Sequence, residues 1–183
     1  MAAPDGLLAA ADRLGAVNRP IADAGRAAAG ALLIVMTFAV MAQVVARYGL
    51  NSSLSWSEEL SKGLMVWTAF LVAPWAYRSG ANVSIEIFAD AIPAAVRRAA
   101  TLIITLGVIW ICAVFFRESL SFVARGMQSK AASLPVPTGV FYAILPASFL
   151  AVALCGAEQL LRDAAALAPG SDDARARALR REG

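Results

Sequence analysis

The stretch AAAGALLIVMTFAVMAQVVA, residues 27–46, decides the fold class of this protein, because none of its side chains carries a charge. Twenty residues at about 1.5 Å each form a helix of roughly 30 Å, the thickness of the hydrocarbon core of a bilayer. The apolar region of a cleavable signal peptide would be shorter. The stretch therefore predicts a first transmembrane helix that remains in the protein.

The whole composition favours a membrane protein. Of the 183 residues, 60% are hydrophobic and 16% charged, and the mean hydropathy is +0.67. Soluble domains have about 45–50% apolar and about 25% charged residues. The net charge of +3 does not indicate nucleic acid, because the basic residues flank the apolar runs, where they meet lipid headgroups. Histidine is absent, which argues against histidine-ligated haem and histidine-based zinc sites, and we expect no cofactor.

Three further spans follow the first span at 27–47. They are predicted at about 56–78, 97–124 and 137–161, and residues 83–92 form a short interfacial helix between the second and third. Pro74 and Pro146 lie inside spans, and Pro137 suits the first turn of the fourth. The predicted fold is thus an all-α integral membrane protein with four transmembrane helices. Its membrane domain, 27–162, lies between a cytoplasmic segment 1–26, which includes a second short interfacial helix, and a cytoplasmic tail 163–183.

Basic residues predict the orientation. Eleven of the 16 Lys and Arg residues fall on the side of the two termini. These are Arg13, Arg19, Arg26, Arg78, Arg97, Arg98, Arg162, Arg175, Arg177, Arg180 and Arg181. The positive-inside rule then places both termini in the cytoplasm.

The sharpest polar constellation lies at the start of the second span. Lys62 follows Glu58 by four residues and Glu59 by three, so it can pair with either on a helix surface. Adjacent helix positions point about 100° apart, so Lys62 cannot neutralise both, and one carboxylate needs another cation, either Arg47 or a group on a partner. Three interpretations remain open: an interfacial cluster, a contact with a partner protein, and a substrate or proton site.

The other candidates are five polar residues near the ends of spans. Arg78, Asn82, Glu86, Arg117 and Glu118 are predicted to lie at the lipid interface. The sequence has no phosphate-binding loop, no activated nucleophile and no cluster of metal ligands. We therefore expect neither an enzyme nor a metal site.

Several segments together are similar to one known family. They are SWSEELSK at 55–62, which runs into WTAFL at 67–71, then RSGANVSIE at 78–86, LPVP at 134–137, and Tyr142 four residues before Pro146. In order and spacing the chain resembles, over roughly 27–162, the small permease subunit of tripartite ATP-independent periplasmic (TRAP) transporters, the DctQ-like family. Family members commonly have a histidine where this chain has Asn82, so no role of that histidine is transferred.

The resemblance implies a function that composition alone does not. In the family, a periplasmic binding protein delivers an organic acid to a large membrane subunit, which holds the substrate and sodium sites and moves like an elevator. The small subunit is a scaffold beside it in the bacterial inner membrane. The resemblance thus implies that this chain has the large permease subunit, the periplasmic substrate-binding protein and membrane lipids as partners. Spans with almost no polar groups at mid-membrane suit that role, because they offer no place to bind an anion.

Two other functions stay open. A small four-helix exporter would need an acidic group at mid-membrane for proton coupling, and the apolar runs of spans one and three have none. A membrane anchor of a respiratory complex would have to be free of haem, since the chain has no histidine. Adjacent genes for a large permease and a secreted binding protein would exclude both.

Overall fold

A computed structural model describes residues 3–50, 55–80, 94–130, 133 and 135–167. These residues are almost entirely helical, and the one β-contact among them is an isolated bridge between Lys130 and Pro137. The helices are α1 (Ala3–Gly49), α2 (Ser55–Gly80), α3 (Ala94–Met127), α4 (Gly139–Tyr142) and α5 (Ile144–Leu167). The predicted all-helical class is confirmed.

Helix α1 is longer than the sequence pattern predicts. The predicted interfacial helix and first span are one continuous helix of 47 residues that passes through Pro20. At about 1.5 Å per residue it is about 70 Å long, more than twice the hydrocarbon thickness. Pro20 is exposed, so the backbone carbonyl that its missing N–H leaves unpaired lies at the surface. The prediction of a separate interfacial helix before the first span was wrong, because α1 continues through Pro20 without a break.

Among the residues that the structure describes, three helical segments are long and apolar enough to cross a membrane: Gly6–Gly49, Ala99–Met127 and Gly139–Ala165. Helix α2 has 26 residues, about 39 Å, but its first turns carry charged side chains. Four spans therefore stay a prediction. The predicted helix at 83–92, together with Asn82 and Glu86, lies outside the described residues.

The last predicted span is divided in two. Helix α4 ends at Tyr142, and α5 begins at Ile144 and continues through Leu167, beyond the predicted end at residue 161. Pro146 explains the break, because it has no N–H to donate to the carbonyl of Tyr142, four residues earlier. Pro137 lies before α4 in the bridge to Lys130, not in the first turn of a helix.

Helix α5 is the central element of the bundle. It packs against α1, α2 and α3, while α1 and α2 also pack against each other as an antiparallel pair. The buried side of α1 carries mainly small residues at spacings of three, four and seven, which lets the helix backbones approach closely. They are Ala11, Gly15, Asn18, Ala22 and Ala29.

Glycines close the end of the bundle that holds the turn between α3 and α4, and aromatic rings join the helices nearer to the middle of the bundle. A Cβ on Gly126 would come within 2.8 Å of the Gly139 Cα, so these two backbones touch. The ring of Phe149 stacks on Phe115 of α3 at 5.3 Å between centroids and meets Phe70 of α2 edge-on at 5.6 Å. Phe149 thus joins three helices through ring contacts.

Candidate functional site

A carboxylate on α5 is the centre of the main polar site. Glu158 is 5% exposed, although it lies in an otherwise apolar stretch of α5 (Ala151–Leu161) interrupted only by Gln159. A buried carboxylate needs cations and hydrogen-bond donors to offset its lost hydration. Glu158 obtains them from α1, α2 and its own helix.

Two arginines bind Glu158. Arg78, near the end of α2, donates from Nη1 to Oε2 at 2.9 Å and from Nη2 to Oε1 at 3.4 Å. Arg162, one turn later on α5, donates from Nη2 to Oε1 at 3.2 Å. Arg162 also pairs with Asp12 of α1 at 3.1 Å. The four charged groups sum to zero, and the two carboxylates differ in setting, since the Asp12 side chain is 70% exposed and that of Glu158 is 7% exposed.

An amide completes the cluster. Asn18 of α1 is 2% exposed, and its Nδ2 donates to Oε2 of Glu158 at 3.0 Å and to the Leu154 carbonyl at 3.1 Å. Gly15 makes room for this contact, since a Cβ there would lie 2.7 Å from Oε1 of Glu158. The group formed by Asp12, Asn18, Arg78, Glu158 and Arg162 is called the Glu158 cluster below.

The Glu158 cluster borders a cavity of about 230 Å³ between α2 and α5. The side chains that line it are mostly polar: Tyr77, Arg78, Cys155, Glu158, Gln159, Arg162 and Asp163. No group of three His, Cys, Asp or Glu side chains placed to hold a metal ion occurs among the described residues. The cluster is thus an ion-paired junction of three helices.

The predicted constellation at the start of α2 lies near the opposite end of that helix and is exposed. Lys62 Nζ lies 3.9 Å from Glu58 Oε1, with the side chains 74% and 65% exposed. Such a pair contributes only about 0–1 kcal/mol. Arg47, in the last turn of α1, is also exposed and has no ion pair within the described ranges.

Glu59 has a partner that the sequence pattern did not suggest. Its Oε2 accepts a hydrogen bond of 2.8 Å from the backbone N–H of Ser133, in the turn between α3 and α4. The second carboxylate is therefore satisfied inside the chain, at least in part, rather than by Arg47. Whether Glu58, Glu59, Lys62 or Arg47 contacts another protein stays a prediction.

The candidates predicted to lie at the lipid interface differ in their exposure in the structure. Arg117 and Glu118 are both exposed on α3, as residues in contact with lipid headgroups would be. Arg78, by contrast, is a member of the buried Glu158 cluster, and its side chain is 23% exposed. The expectation that the spans carry almost no polar groups at mid-membrane stays a prediction, since Arg78 and Glu158 lie near the ends of their predicted spans.

Sequence reasoning missed Glu158, Asn18 and Asp12. A signal for the first was present, because an ionisable residue inside an apolar helix is expensive and needs a partner. Glu158 with Arg162 four residues later is such a case. Asn18 had no signal of its own, since the N-terminal segment was expected to lie apart from the spans.

Comparison with known proteins gives one matching family. Residues 36–166 match the family described as tripartite ATP-independent periplasmic transporters, DctQ component. This range covers α2 to α4, most of α5 and the end of α1, and it includes Arg78, Glu158 and Arg162.

Two curated relatives are similar to parts of the chain. A protein of Haemophilus influenzae named as a TRAP transporter small permease protein is 39% identical over 62 residues, which are 34% of this chain and 38% of that protein. The isethionate TRAP transporter permease protein DctMQ of Oleidesulfovibrio alaskensis is 22% identical over 139 residues, 74% of this chain and 21% of that protein. The chain thus matches well under half the length of either relative.

Proposed function

Because the chain belongs to the DctQ family, the small membrane component of TRAP transporters, we propose that it is the scaffold of a sodium-driven organic-acid transporter. In this proposal the chain binds the large permease subunit in the bacterial inner membrane. The large subunit carries the substrate and sodium sites, and a periplasmic binding protein supplies the substrate. The match over residues 36–166 is the observation that carries the proposal.

The relative named DctMQ supports a partner much larger than this chain. The match takes up 74% of this chain but only 21% of that protein. Most of that permease therefore lies outside the stretch that resembles this chain. In this proposal the large permease subunit supplies the corresponding part here.

The surface of the helices supports a scaffold. Helix α3 packs mainly against α5 and the short α4, so much of its apolar side faces outward. Ile103 and Trp110 are each 70% exposed there, and Phe38 on α1 is 71% exposed. In a membrane such surfaces face lipid or another apolar helix, and both are available to a subunit that frames a partner.

The proposed topology has four spans: the three apolar segments and, in addition, helix α2, which is the second in chain order. Helix α2 is long enough for a bilayer and is packed between α1 and α5, both of which are apolar enough to span it. The excess of basic residues on the side of the termini supports cytoplasmic ends. An interfacial helix at 83–92 would then lie on the cytoplasmic side.

Reconstitution tests the scaffold. Proteoliposomes with this chain alone should take up no organic acid under a sodium gradient, because in this proposal the substrate and sodium sites belong to the large subunit. Uptake should require the large subunit and the binding protein together with this chain. Sodium-driven uptake by this chain alone would refute the proposal.

Glu58 gives the cleaner test of a partner contact. Its pair with Lys62 is exposed, so Glu58→Gln should change the stability of the chain itself by no more than about 1 kcal/mol. A loss of co-purification with the large subunit would then come from the interface. Glu118→Gln, which removes an exposed carboxylate of α3, is the matched control. If both variants co-purify like the unaltered chain, Glu58 is not a contact residue.

A further inference from the structure

A second cavity lies on the other side of Arg78, between α1 and α2. It has a volume of about 250 Å³ and is lined by Arg19, Ala22, Asp23, Trp75, Arg78 and Ser79. Its volume exceeds the roughly 30 Å³ of a water molecule several-fold. The cavity therefore admits a group as large as a phosphate.

The level of this cavity in the membrane follows from Arg26 and Trp75. The guanidinium of Arg26 lies over the Trp75 ring, 5.2 Å from its centroid, and the uncharged stretch 27–46 begins directly after Arg26. Tryptophan and arginine at the end of an apolar run mark the edge of the hydrocarbon. The pair thus indicates where the headgroup layer begins on this side.

The polar lining lies one to two helical turns outside that edge. Arg19 and Asp23 precede Arg26 on α1 by seven and three residues, roughly 10 Å and roughly 4 Å. Arg78 and Ser79 follow Trp75 on α2 by three and four residues. Since α1 and α2 are antiparallel, all four side chains fall in the headgroup layer.

The donors suit a phosphodiester. Arg78 donates two of its five N–H groups to Glu158, and the residue forms part of the cavity wall. Arg19 is exposed and lines the same wall. Arginine forks bind phosphate oxygens with strong, charge-assisted hydrogen bonds.

We propose that this cavity binds the headgroup phosphate of a membrane phospholipid between Arg19 and Arg78. The acyl chains then extend toward the hydrocarbon past Trp75. Asp23, on the same wall, repels an anionic headgroup and weakens binding. The lipid fills the space between α1 and α2 beside the Glu158 cluster. This site is independent of the proposed transport function.

Titration of the purified, delipidated full-length chain tests the site. Phosphatidylglycerol is added in a non-ionic detergent, and one-to-one complexes are counted by native mass spectrometry. Arg19→Gln should weaken binding about tenfold, the effect of losing one charge-assisted hydrogen bond. Arg13→Gln, the same change at an exposed arginine of α1 outside the cavity, should change binding less than twofold. Asp23→Asn should tighten it.

Further measurements distinguish a lipid phosphate from free phosphate and test whether the charge of Arg19 is what matters. Diacylglycerol, which has no phosphate, should not displace the lipid, and equimolar inorganic phosphate should not either. Arg19→Lys should restore part of the affinity by keeping the charge. Equal binding by Arg19→Gln and Arg13→Gln, or displacement by diacylglycerol, would overturn the proposal. Displacement by inorganic phosphate would overturn it too, in favour of a free-anion site.

Discussion

Replacement of Glu158 by glutamine should destabilise the chain more than any change of an exposed charge. The substitution keeps the shape of the side chain but removes the one charge that Arg78 and Arg162 share. Breaking a fully buried pair costs about 3–5 kcal/mol. The two arginines are 23% and 40% exposed, so they recover some hydration, and we expect a loss of about 2–3 kcal/mol.

A native cysteine provides the assay. Cys112 on α3 is buried and free, so in a variant in which Cys155, which lines the cavity beside Glu158, is replaced, a thiol-reactive fluorophore labels Cys112 only when the helices separate. A loss of about 2–3 kcal/mol should lower the midpoint of thermal unfolding in detergent by about 5–10 °C in a chain of this length. The same assay on Arg162→Gln should give a smaller shift, since Arg78 still binds Glu158.

Glu118→Gln on α3 is the control, because that carboxylate is exposed and such changes stay within about 0.5 kcal/mol. The reasoning fails if Glu158→Gln shifts the midpoint no more than Glu118→Gln does. It also fails if Glu158→Gln raises the midpoint, because the carboxylate would then be a net cost to the fold.

Two further predictions concern helix contacts and topology. Gly25→Ala should lower the unfolding midpoint, because the new Cβ would lie 2.5 Å from the backbone oxygen of Leu71; Gly30→Ala, with nothing within 4 Å, should leave the midpoint unchanged or raise it. In a variant without native cysteines, an impermeant thiol reagent added to spheroplasts should label Lys130→Cys and spare Ala174→Cys. Equal midpoints for the two glycine variants would contradict the close contact, and the reverse labelling would invert the topology.

The apolar stretches could be found from the sequence because a bilayer imposes one requirement, about 20 uncharged helical residues, that needs no tertiary information. Residues 27–46 meet this requirement without reference to the rest of the chain. The ends of helices were harder. Helix α1 begins well before the apolar stretch, and its residues 11–18 contact α5 through Asp12, Gly15 and Asn18. That contact is between segments far apart in the chain.

The Glu158 cluster could be predicted only in part, for a related reason. The pair of Glu158 and Arg162 is local, and its spacing of four was visible. The partners Asn18 and Arg78 come from other helices, 140 and 80 residues away. Their meeting depends on the rotation of each helix about its axis. Short polar spacings within a sequence do not determine that rotation.

The contacts at the two ends of α5 and α4 restrict how these helices can slide. At one end the Glu158 carboxylate is held by Arg78 of α2 at 2.9 and 3.4 Å and by Asn18 of α1 at 3.0 Å. At the other, Gly139 touches Gly126 of α3 so closely that a Cβ does not fit. A slide of one helical turn, about 5.4 Å, would break the ion pair and drive a side chain into the glycine contact. The two ends differ in chemistry, so no single shift restores both. The described helices are therefore held as one unit, as the proposed scaffold role requires.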